Sequence, residues 1–207
     1  MNRRAMARHT PRHILRPLLA ALALSLSACG DGSATAERPP LEGANIGGPF
    51  TLTNKDGKTV QWSDFAGRWR IVYFGYTYCP DVCPLDVQHI MQGYRLFARD
   101  HAALAQRIVP MFISIDPGRD TPAVVGQFAA NFGPELVGLT GTPAQVAQAT
   151  KAFAVYAQKR EGASPDSYLM DHSRAAYLMG PEGQAIALLP ADQDGHAVAT
   201  EIAKWVN

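Results

Sequence analysis

The chain has 207 residues, 47% of them hydrophobic, so it can bury one substantial core and a single domain is expected. The formal net charge of +1 conceals an asymmetry. Residues 1–28 carry five arginines and no acidic residue, which leaves 14 Lys and Arg against 18 Asp and Glu in the rest of the chain. A mildly acidic domain without a basic stripe excludes nucleic acid as the partner.

The first 28 residues have the composition of an export signal. Their arginines precede an apolar run, Leu18–Leu26, which is too short to span a membrane comfortably. The run ends in Leu26-Ser27-Ala28-Cys29, which resembles the lipobox of bacterial lipoproteins, where the cysteine is lipidated and becomes the first residue after cleavage. We expect residues 1–28 to be a lipoprotein signal peptide and Cys29 to carry the lipid. The domain would then be anchored to a bacterial membrane and face the periplasm or the outer cell surface.

The rest of the chain predicts a tether followed by an α/β domain. Residues 29–48 are rich in small residues without periodicity, which indicates a flexible tether, and the domain is expected over 49–207. The first predicted elements are a hairpin of Phe50–Thr53 and Thr59–Trp62 with an Asp-Gly turn, a core strand at Ile71–Tyr76, a helix from Pro84 to near His101, and a core strand at Ile108–Ile115. They are followed by a helix from Thr121-Pro122 through Phe132, a short strand at Leu136–Leu139, and a capped helix from Thr142 to about Phe153. The last are an irregular stretch at Gln158–Met170, a hairpin of Ala175–Met179 and Ala185–Leu189, and a helix at Ala197–Trp205. This order predicts a thioredoxin-like mixed sheet flanked by helices on both faces, with an extra N-terminal β-hairpin.

Two cysteines, Cys79 and Cys83, come directly after the first core strand. Three residues separate them, whereas a thioredoxin-type redox pair is Cys-x-x-Cys. Pro80 and Pro84 bias the cysteines before them away from the helical region, and Pro84 fits the first position of the next helix. The pair is therefore expected on a stiff loop at a helix N-terminus, where the local field stabilises thiolates. Such a loop suits either a disulfide or a soft metal ion.

Among the histidines that follow the cleavage site, one stands apart from the others. Three have the helical positions of solvated side chains: His89, His101 and His196. His172 lies in Asp171-His172-Ser173, between the irregular stretch and a predicted strand. In a thioredoxin-like sheet, that loop is at the same edge as the cysteine loop. Its position is consistent with a third ligand and equally with a polar turn residue.

Three blocks of sequence resemble the signature blocks of the Sco/SenC family, in the same order: Phe74 to Pro84, Ser114-Ile115-Asp116-Pro117, and Asp171-His172-Ser173. The similarity runs from about Phe50 to the C-terminus. The resemblance implies a membrane-tethered, thioredoxin-like copper protein that helps to assemble the binuclear CuA centre of cytochrome c oxidase. By position, it makes Cys79, Cys83 and His172 the copper ligands. Tyr78 stands where the family often has a histidine that is not a ligand.

The chemistry of these donors agrees with copper. Thiolates are soft donors that suit Cu(I), and an imidazole extends the site toward Cu(II). Structural zinc normally takes four protein ligands, and the sequence offers no evident fourth. Asp81 and Asp171 are candidate groups beside the ligands, since a carboxylate can orient a histidine ring and favour a cation. Asp81 is equally well explained as a turn former after Pro80.

The resulting hypothesis is a lipid-anchored copper chaperone that receives copper from a periplasmic donor and passes it to the CuA-bearing subunit of cytochrome c oxidase. The main alternative is a thiol-disulfide oxidoreductase, in which Cys79 and Cys83 cycle through a disulfide to keep CuA or other exported cysteines reduced. Exchange chemistry needs no distant imidazole, so His172 discriminates between the two. A peroxiredoxin-like peroxidase is disfavoured because Tyr76 occupies the position where that class has threonine. A purely structural adaptor would not require both cysteines.

Overall fold

The computed structural model describes residues 37–162 and 167–207. The elements are β1 (Thr51–Asn54), β2 (Thr59–Gln61), a 3-10 helix (Trp62–Phe65), β3 (Trp69–Gly75), α1 (Val82–Asp100), α2 (Ala102–Ala105), β4 (Ile108–Ser114), α3 (Pro122–Ala130), β5 (Val137–Thr140), α4 (Pro143–Ala152), β6 (Ala157–Arg160), β7 (Leu169–His172), β8 (Ala176–Met179), β9 (Ala185–Leu189) and α5 (Gly195–Trp205). The predicted signal peptide and the lipidation site Cys29 lie outside the described residues. Of the helices in the described ranges, none has the length and hydrophobicity needed to cross a membrane.

Seven strands form one mixed sheet in the order β2-β1-β5-β4-β3-β8-β9, and β6 and β7 form a separate antiparallel ribbon. The central strands β3 and β4 pair in parallel, and every residue of both is buried. Strands that are covered on both faces have nearly continuous apolar sequences, which is the pattern that predicted these two. Because β3 and β4 are parallel, their carboxyl ends lie at the same edge of the sheet, and the cysteine segment follows β3 at that edge.

Helices cover both faces of the sheet, as predicted. Successive residues of a strand point to opposite faces. On one face, the Tyr73 hydroxyl lies 2.8 Å from the Asp86 carboxylate of α1, and α5 packs along α1. On the other face, the ring of Phe74 lies 5.3 Å from that of Phe153, which follows α4. The core therefore has two apolar layers, one on each side of β3.

Local sequence signals specify several turns and helix ends correctly. The N-terminal hairpin forms around Asp56-Gly57, where Gly57 has a φ of +74°, a conformation that glycine adopts without strain. At the start of α4, the Thr142 hydroxyl accepts from the Gln145 N–H at 3.3 Å, and the Gln145 side chain accepts from the Thr142 N–H at 2.8 Å. This reciprocal pair is the predicted capping box.

Two helices have different bounds from those predicted. The helix α1 begins at Val82, two residues before Pro84, so Cys83 lies in its first turn and not on the preceding loop. Proline is tolerated there because the first N–H groups of a helix have no partner within the helix. The helix α3 ends at Ala130, before Phe132.

The stretch predicted to be irregular, Gln158–Met170, contributes to a β-ribbon. The strand β6 pairs with β7 in register, so that Ala157 lies opposite His172. All four residues of β6 are exposed. A strand without a buried face lacks the alternation of apolar and polar residues that indicates a strand in sequence. His172 is consequently the last residue of a strand and not part of a loop.

The domain begins earlier than predicted. Residues 38–207 form one compact unit, which includes a segment assigned to the tether from its composition. The Leu41 N–H donates to the Ile186 carbonyl at 3.0 Å, and the Gly47 N–H donates to the Ala152 carbonyl at 2.8 Å. These hydrogen bonds fix residues 41–47 against the domain, so the boundary moves from residue 49 to Arg38.

Close packing of α1 against α5 leads to a stability prediction. A Cβ on Gly93 would lie 2.4 Å from a Val198 methyl carbon and 2.9 Å from the Gly195 carbonyl oxygen. We expect Gly93→Ala to lower the free energy of unfolding by about 2 kcal/mol, because overpacking outweighs the better helix propensity of alanine. Urea denaturation measures this change. The control Gln88→Ala, at an exposed position of α1, should change the free energy by less than about 0.5 kcal/mol. Equal stability of the two variants would contradict the packing argument.

Candidate metal centre

The two cysteines belong to different elements. Cys79 is half-buried and lies on the loop after β3, while Cys83 is fully buried in the first turn of α1. The backbone N–H of Cys83 donates to the Cys79 sulfur at 3.4 Å. A helix N-terminus stabilises negative charge through such N–H groups and through its dipole. Both side chains are free thiols in the structure.

The acidities of the two thiols are shifted in opposite directions. The pKa of Cys79 is lowered, first by a hydrogen bond from the Cys83 thiol and also by the nearby His172 side chain, against the effect of burial. The pKa of Cys83 is raised, first by its hydrogen bond to Cys79 and then by burial. The pair therefore holds one proton and one negative charge, with the thiolate on Cys79. This places a nucleophilic sulfur, which is also a good metal ligand, at the more accessible position.

A buried carboxylate anchors the loop that carries Cys79. Asp120, only 1% exposed, accepts from the Thr77 N–H at 3.1 Å and from the Thr77 hydroxyl at 2.5 Å. The Ser114 hydroxyl, at the end of β4, donates to the same carboxylate at 2.5 Å. These bonds fix the chain two residues before Cys79, because a buried carboxylate is costly to leave unpaired. Asp120 is absent from the predicted site residues because its partner Thr77 lies 43 residues away and leaves no local sequence pattern.

His172 reaches the cysteines from the end of β7. Its Nε2 lies 3.2 Å from the Cys83 sulfur, and its Nδ1 lies 2.8 Å from the Ser173 carbonyl oxygen. A carbonyl oxygen only accepts, so Nδ1 carries a proton and Nε2 is left with a lone pair directed at Cys83. The imidazole ring stands nearly perpendicular to the rings of Tyr73 and Tyr76, with centroids 6.4 Å and 6.0 Å away. The ring is therefore held in the tautomer that binds a metal through Nε2.

Together these residues form a set of donors around one point. The sulfurs of Cys79 and Cys83 and a ring nitrogen of His172 all lie within 4.8 Å of one another. Donors that share an ion at bond lengths of about 2.0–2.3 Å are separated by at most about 4.6 Å, so only a small inward movement is needed. Two sulfurs and one imidazole nitrogen are the donor set of a soft or intermediate transition-metal ion.

The two predicted carboxylate residues line the cavity that contains Cys79 and His172, but neither accepts from the His172 ring. The Asp171 carboxylate pairs with Arg160 at 2.9 Å, on the face of β7 opposite to His172, because neighbouring residues of a strand alternate in direction. The partner of the His172 ring is the Ser173 carbonyl, and an effect of the Asp171 charge on the site stays a prediction. Asp81 is exposed just before α1, and its side chain makes no hydrogen bond to the helix N-terminus. Asp81 lies at the rim of the site, so an electrostatic attraction between its carboxylate and a bound cation stays a prediction.

An ion pair with a buried carboxylate connects α1, which carries Cys83, to the segment that follows β7, whose last residue is His172. Asp86, 0% exposed in α1, accepts two hydrogen bonds from Arg174, at 2.7 and 3.1 Å, and one from the Tyr73 hydroxyl at 2.8 Å. The hydrogen bond to Asp86 raises the pKa of Arg174. Asp86 lies three residues after Cys83, and Arg174 lies two residues after His172. The pair therefore holds the ends of both ligand-bearing elements at a fixed separation.

A second polar cluster attaches the β6–β7 ribbon to the loop after β4. Asp116 is buried and accepts from the Arg119 Nε at 2.6 Å and from the Tyr168 hydroxyl at 2.7 Å. The Arg119 guanidinium stacks on the Tyr168 ring at 3.5 Å and donates to the Tyr168 carbonyl at 2.9 Å. Tyr168 directly precedes β7. The cluster thus fixes the start of the strand whose last residue is His172.

A cavity of about 360 Å³ opens over the site and is lined by residues of the cysteine loop and of β7, including Cys79 and His172. Several large hydrophobic side chains near it are exposed: Tyr78 at 54%, Leu85 at 44%, Tyr156 at 56% and Leu169 at 44%. Of these, Tyr156 and Leu169 line the cavity itself, while Tyr78 directly precedes Cys79 and Leu85 lies two residues after Cys83. Grouped exposed hydrophobic residues mark contact surfaces for other molecules.

The fold and the site define a class: a thioredoxin-like domain with a thiol–imidazole metal site at the carboxyl edge of its central strands. The thioredoxin domain of a thiol-disulfide oxidoreductase from Bacteroides vulgatus has the same fold, with a TM-score of 0.54 over 78% of this chain and 96% of that chain, at 17% identity. A family profile described as SCO1/SenC matches residues 38–207. The chain belongs to the SCO1/SenC family.

Individual relatives agree with this assignment. Protein SenC of Rhodobacter capsulatus is 42% identical over 157 residues, which are 75% of this chain and 66% of that protein. The mitochondrial SCO1 homolog 1 of Arabidopsis thaliana is 36% identical over 173 residues, which are 84% of this chain and 51% of that protein. The structure of Bradyrhizobium japonicum ScoI with copper bound has a TM-score of 0.69 at 36% identity, covering 77% of this chain and 99% of that one. The chain thus spans between half and two thirds of these two curated relatives.

Proposed function

We propose that this protein binds one copper ion with Cys79, Cys83 and His172 and delivers it to the CuA centre of cytochrome c oxidase. The observation that carries the proposal is the convergence of three donor atoms within 4.8 Å beneath an open cavity. The copper-bound form of the similar ScoI supports the choice of ion. The resemblance to the Sco/SenC family, which covers the motifs of all three ligands, supports the choice of recipient.

The metal-free geometry explains how the ion would be held. The Cys83 sulfur and His172 Nε2 lie 3.2 Å apart, and in the absence of metal Cys83 keeps its thiol proton, which it donates to the Cys79 thiolate. A cation takes the place of that proton, so binding releases it. The Cys79 thiolate, which accepts the Cys83 N–H, completes the set. Two thiolates suit Cu(I), and the imidazole makes the same site acceptable to Cu(II).

The exposure of the donors supports transfer and not only storage. Cys83 is fully buried, whereas Cys79 is half-buried and faces the cavity, so a ligand of the recipient would displace Cys79 first. The exposed rim residues Tyr78, Leu85 and Tyr156 would contact the recipient around that point. Aromatic residues are enriched in protein interfaces, where they exclude water. A copper ion could then pass between two sets of ligands without entering solvent.

A second candidate function is the reduction of disulfides in CuA or other exported proteins. The observation that favours it is the pairing of an accessible Cys79 thiolate with a buried Cys83 thiol. An exposed thiolate attacks the target disulfide, and the buried thiol then releases the reduced target as the pair closes into its own disulfide. Both functions use the same sulfurs. In disulfide reduction His172 would only support the Cys79 thiolate, whereas copper binding uses its Nε2 as a ligand.

The proposal includes the location of the protein in the cell. Lipidation of Cys29 would anchor the protein to a membrane, with a periplasmic protein as the copper donor. The domain starts at Arg38, so eight residues between Cys29 and the domain remain as the tether.

Copper transfer to a soluble, metal-free CuA domain tests the proposal. Equal amounts of the Cu(I)-loaded and the Cu(II)-loaded protein should together generate the visible absorption of the mixed-valence binuclear centre, with one ion of each oxidation state consumed per centre. Protein loaded after Cys83→Ala should generate none. In a parallel experiment, the metal-free protein is mixed with a CuA domain whose cysteines are oxidised to a disulfide. Disulfide reduction without any copper transfer would overturn the chaperone function and establish the reductase.

A further inference from the structure

The residue before Cys79 is attached to the loop after β4 by aromatic rings that share one guanidinium. The Arg119 guanidinium lies 4.9 Å from the centroid of the Tyr78 ring and 3.5 Å from that of the Tyr168 ring. Tyr78 belongs to the cysteine loop, and Tyr168 directly precedes β7. We call these three side chains the tyrosine–arginine stack. It connects the chain beside Cys79 to the start of the strand that carries His172.

The guanidinium is a fixed support for the Tyr78 ring. The Arg119 side chain is only 15% exposed, and its Nε donates to the buried Asp116 carboxylate at 2.6 Å. Its position is therefore set within the loop after β4. A cation over an aromatic face is attracted by the quadrupole of the ring, and this attraction strengthens where water is excluded. The contact needs the aromatic face of Tyr78 and does not need its hydroxyl.

Two neighbouring residues of the loop after β4 hold two neighbouring residues of the cysteine loop. Asp120 accepts from the Thr77 N–H and hydroxyl, and Arg119 stacks on Tyr78. The two anchors differ in exposure, because Asp120 is 1% exposed whereas Tyr78 is 54% exposed. A partner protein in solution can touch the Tyr78 ring but not the Asp120 carboxylate. The stack is therefore the anchor of this loop that a partner can release.

We propose that Tyr78 positions Cys79 for copper binding through its stack on Arg119, and that the recipient releases Cys79 by contacting the Tyr78 ring. With the stack formed, the Cys79 sulfur stays where the Cys83 N–H donates to it at 3.4 Å. The proposal rests on the proposed copper function and names the side chain through which the recipient acts on the site. Tyr78 is a positioning residue and not a ligand.

The release is an exchange of ligands without a change of oxidation state. When the recipient draws the Tyr78 ring away from Arg119, the adjoining Cys79 moves with the backbone. The bond from copper to the Cys79 sulfur breaks as a bond to a ligand of the recipient forms. Cys83 and His172 hold the ion during this step, because neither belongs to the segment that moves.

The test compares Tyr78→Leu with Tyr78→Phe in the purified protein. Leucine removes the aromatic face, whereas phenylalanine keeps the face and loses only the hydroxyl. The matched control is Tyr156→Leu. Tyr156 is 56% exposed and lines the same cavity, and its hydroxyl donates to Gln158 of the β6–β7 ribbon. Substitutions of exposed side chains such as these leave the fold in place.

The first measurement is made without metal. The Cys79 N–H donates to the Tyr76 carbonyl at 3.2 Å, so its hydrogen exchange reports opening of the loop. We expect Tyr78→Leu to speed this exchange about tenfold, with the core amides of β3 unchanged, and Tyr78→Phe and Tyr156→Leu to stay within about twofold of wild type. An unchanged rate in Tyr78→Leu, or an equal increase in Tyr78→Phe, would overturn the positioning role.

The second measurement tests release. Stopped-flow transfer of Cu(I) to an excess of a chromogenic chelator should be about tenfold faster from Tyr78→Leu than from wild type, and nearly unchanged in the other two variants. Adding a metal-free CuA domain to the metal-free wild-type protein should speed exchange of the Cys79 amide, and should add nothing in Tyr78→Leu. Slower or unchanged exchange in the wild-type mixture would contradict release by the recipient. A wild-type protein that binds no copper would defeat the proposed function, while the metal-free exchange still decides the role of the stack.

Discussion

Replacing Cys83 by alanine should weaken the binding of both Cu(I) and Cu(II) by about 1,000-fold. Metal-binding free energies of roughly 10–16 kcal/mol are shared among three or four donors, and each 1.4 kcal/mol corresponds to a factor of ten. Cys83 also supplies the N–H that supports the Cys79 thiolate, but this backbone group survives the substitution. The loss therefore reports on the sulfur itself. Titration with each ion against a competing chelator measures it.

The matched control is His172→Ala, which removes the nitrogen donor and leaves both sulfurs. We expect it to weaken Cu(II) binding by about 100-fold and Cu(I) binding by less than about tenfold, since Cu(I) prefers the thiolates. If Cys83→Ala retained wild-type affinity for both ions, the site would not be the one described. If His172→Ala left the Cu(II) affinity intact, the imidazole would have no role as a ligand.

Arg174→Leu should lower the free energy of unfolding of the metal-free protein by about 3 kcal/mol. The substitution leaves Asp86, which is 0% exposed, with the Tyr73 hydroxyl as its remaining hydrogen-bond donor of the three described. A buried carboxylate without its cation keeps the unfavourable free energy of desolvation and loses the attraction that offset it. Urea denaturation measures the change in stability. Because the pair links the elements of Cys83 and His172, metal binding should weaken as well.

The exposed pair of Arg160 and Asp171 provides the control. Its side chains are 67% and 46% exposed, so Arg160→Leu should cost less than about 1 kcal/mol. Both variants remove an arginine from an Arg–Asp pair near the same ribbon, and they differ in the burial of the carboxylate. If the two substitutions destabilised the protein equally, burial of Asp86 would not be the reason for the loss.

Much of the fold follows from local sequence patterns. The central strands β3 and β4 are continuous apolar runs, the first hairpin has an Asp-Gly turn, and the capping box at Thr142 begins α4. Each of these signals is decided by neighbouring residues, so the sequence contains the information directly. The positions of Cys79 and Cys83 at the sheet edge follow for the same reason, because they come directly after a core strand.

The features that local sequence patterns do not reveal depend on tertiary contacts. The strand β6 is exposed throughout, so it is defined by pairing with β7 and not by any apolar face. That pairing also decides the direction of Asp171, which alternation turns away from His172. Asp86 reads as an ordinary polar residue of a helix, and its partner Arg174 is 88 residues away. Interactions of this range leave no local pattern in one sequence.

Pulsed electron paramagnetic resonance of the Cu(II) form, with the histidines labelled with ¹⁵N, tests the central claim most directly. One copper ion per chain should show thiolate-to-Cu(II) charge-transfer absorption and coupling to a single imidazole nitrogen. The coupling should disappear in His172→Ala. The control is His89→Ala, which should retain the coupling, because the His89 ring contacts the Ala191 carbonyl at 2.8 Å and not the site. Bound Cu(II) without sulfur charge transfer, or with nitrogen coupling that survives His172→Ala, would contradict a site built from Cys79, Cys83 and His172.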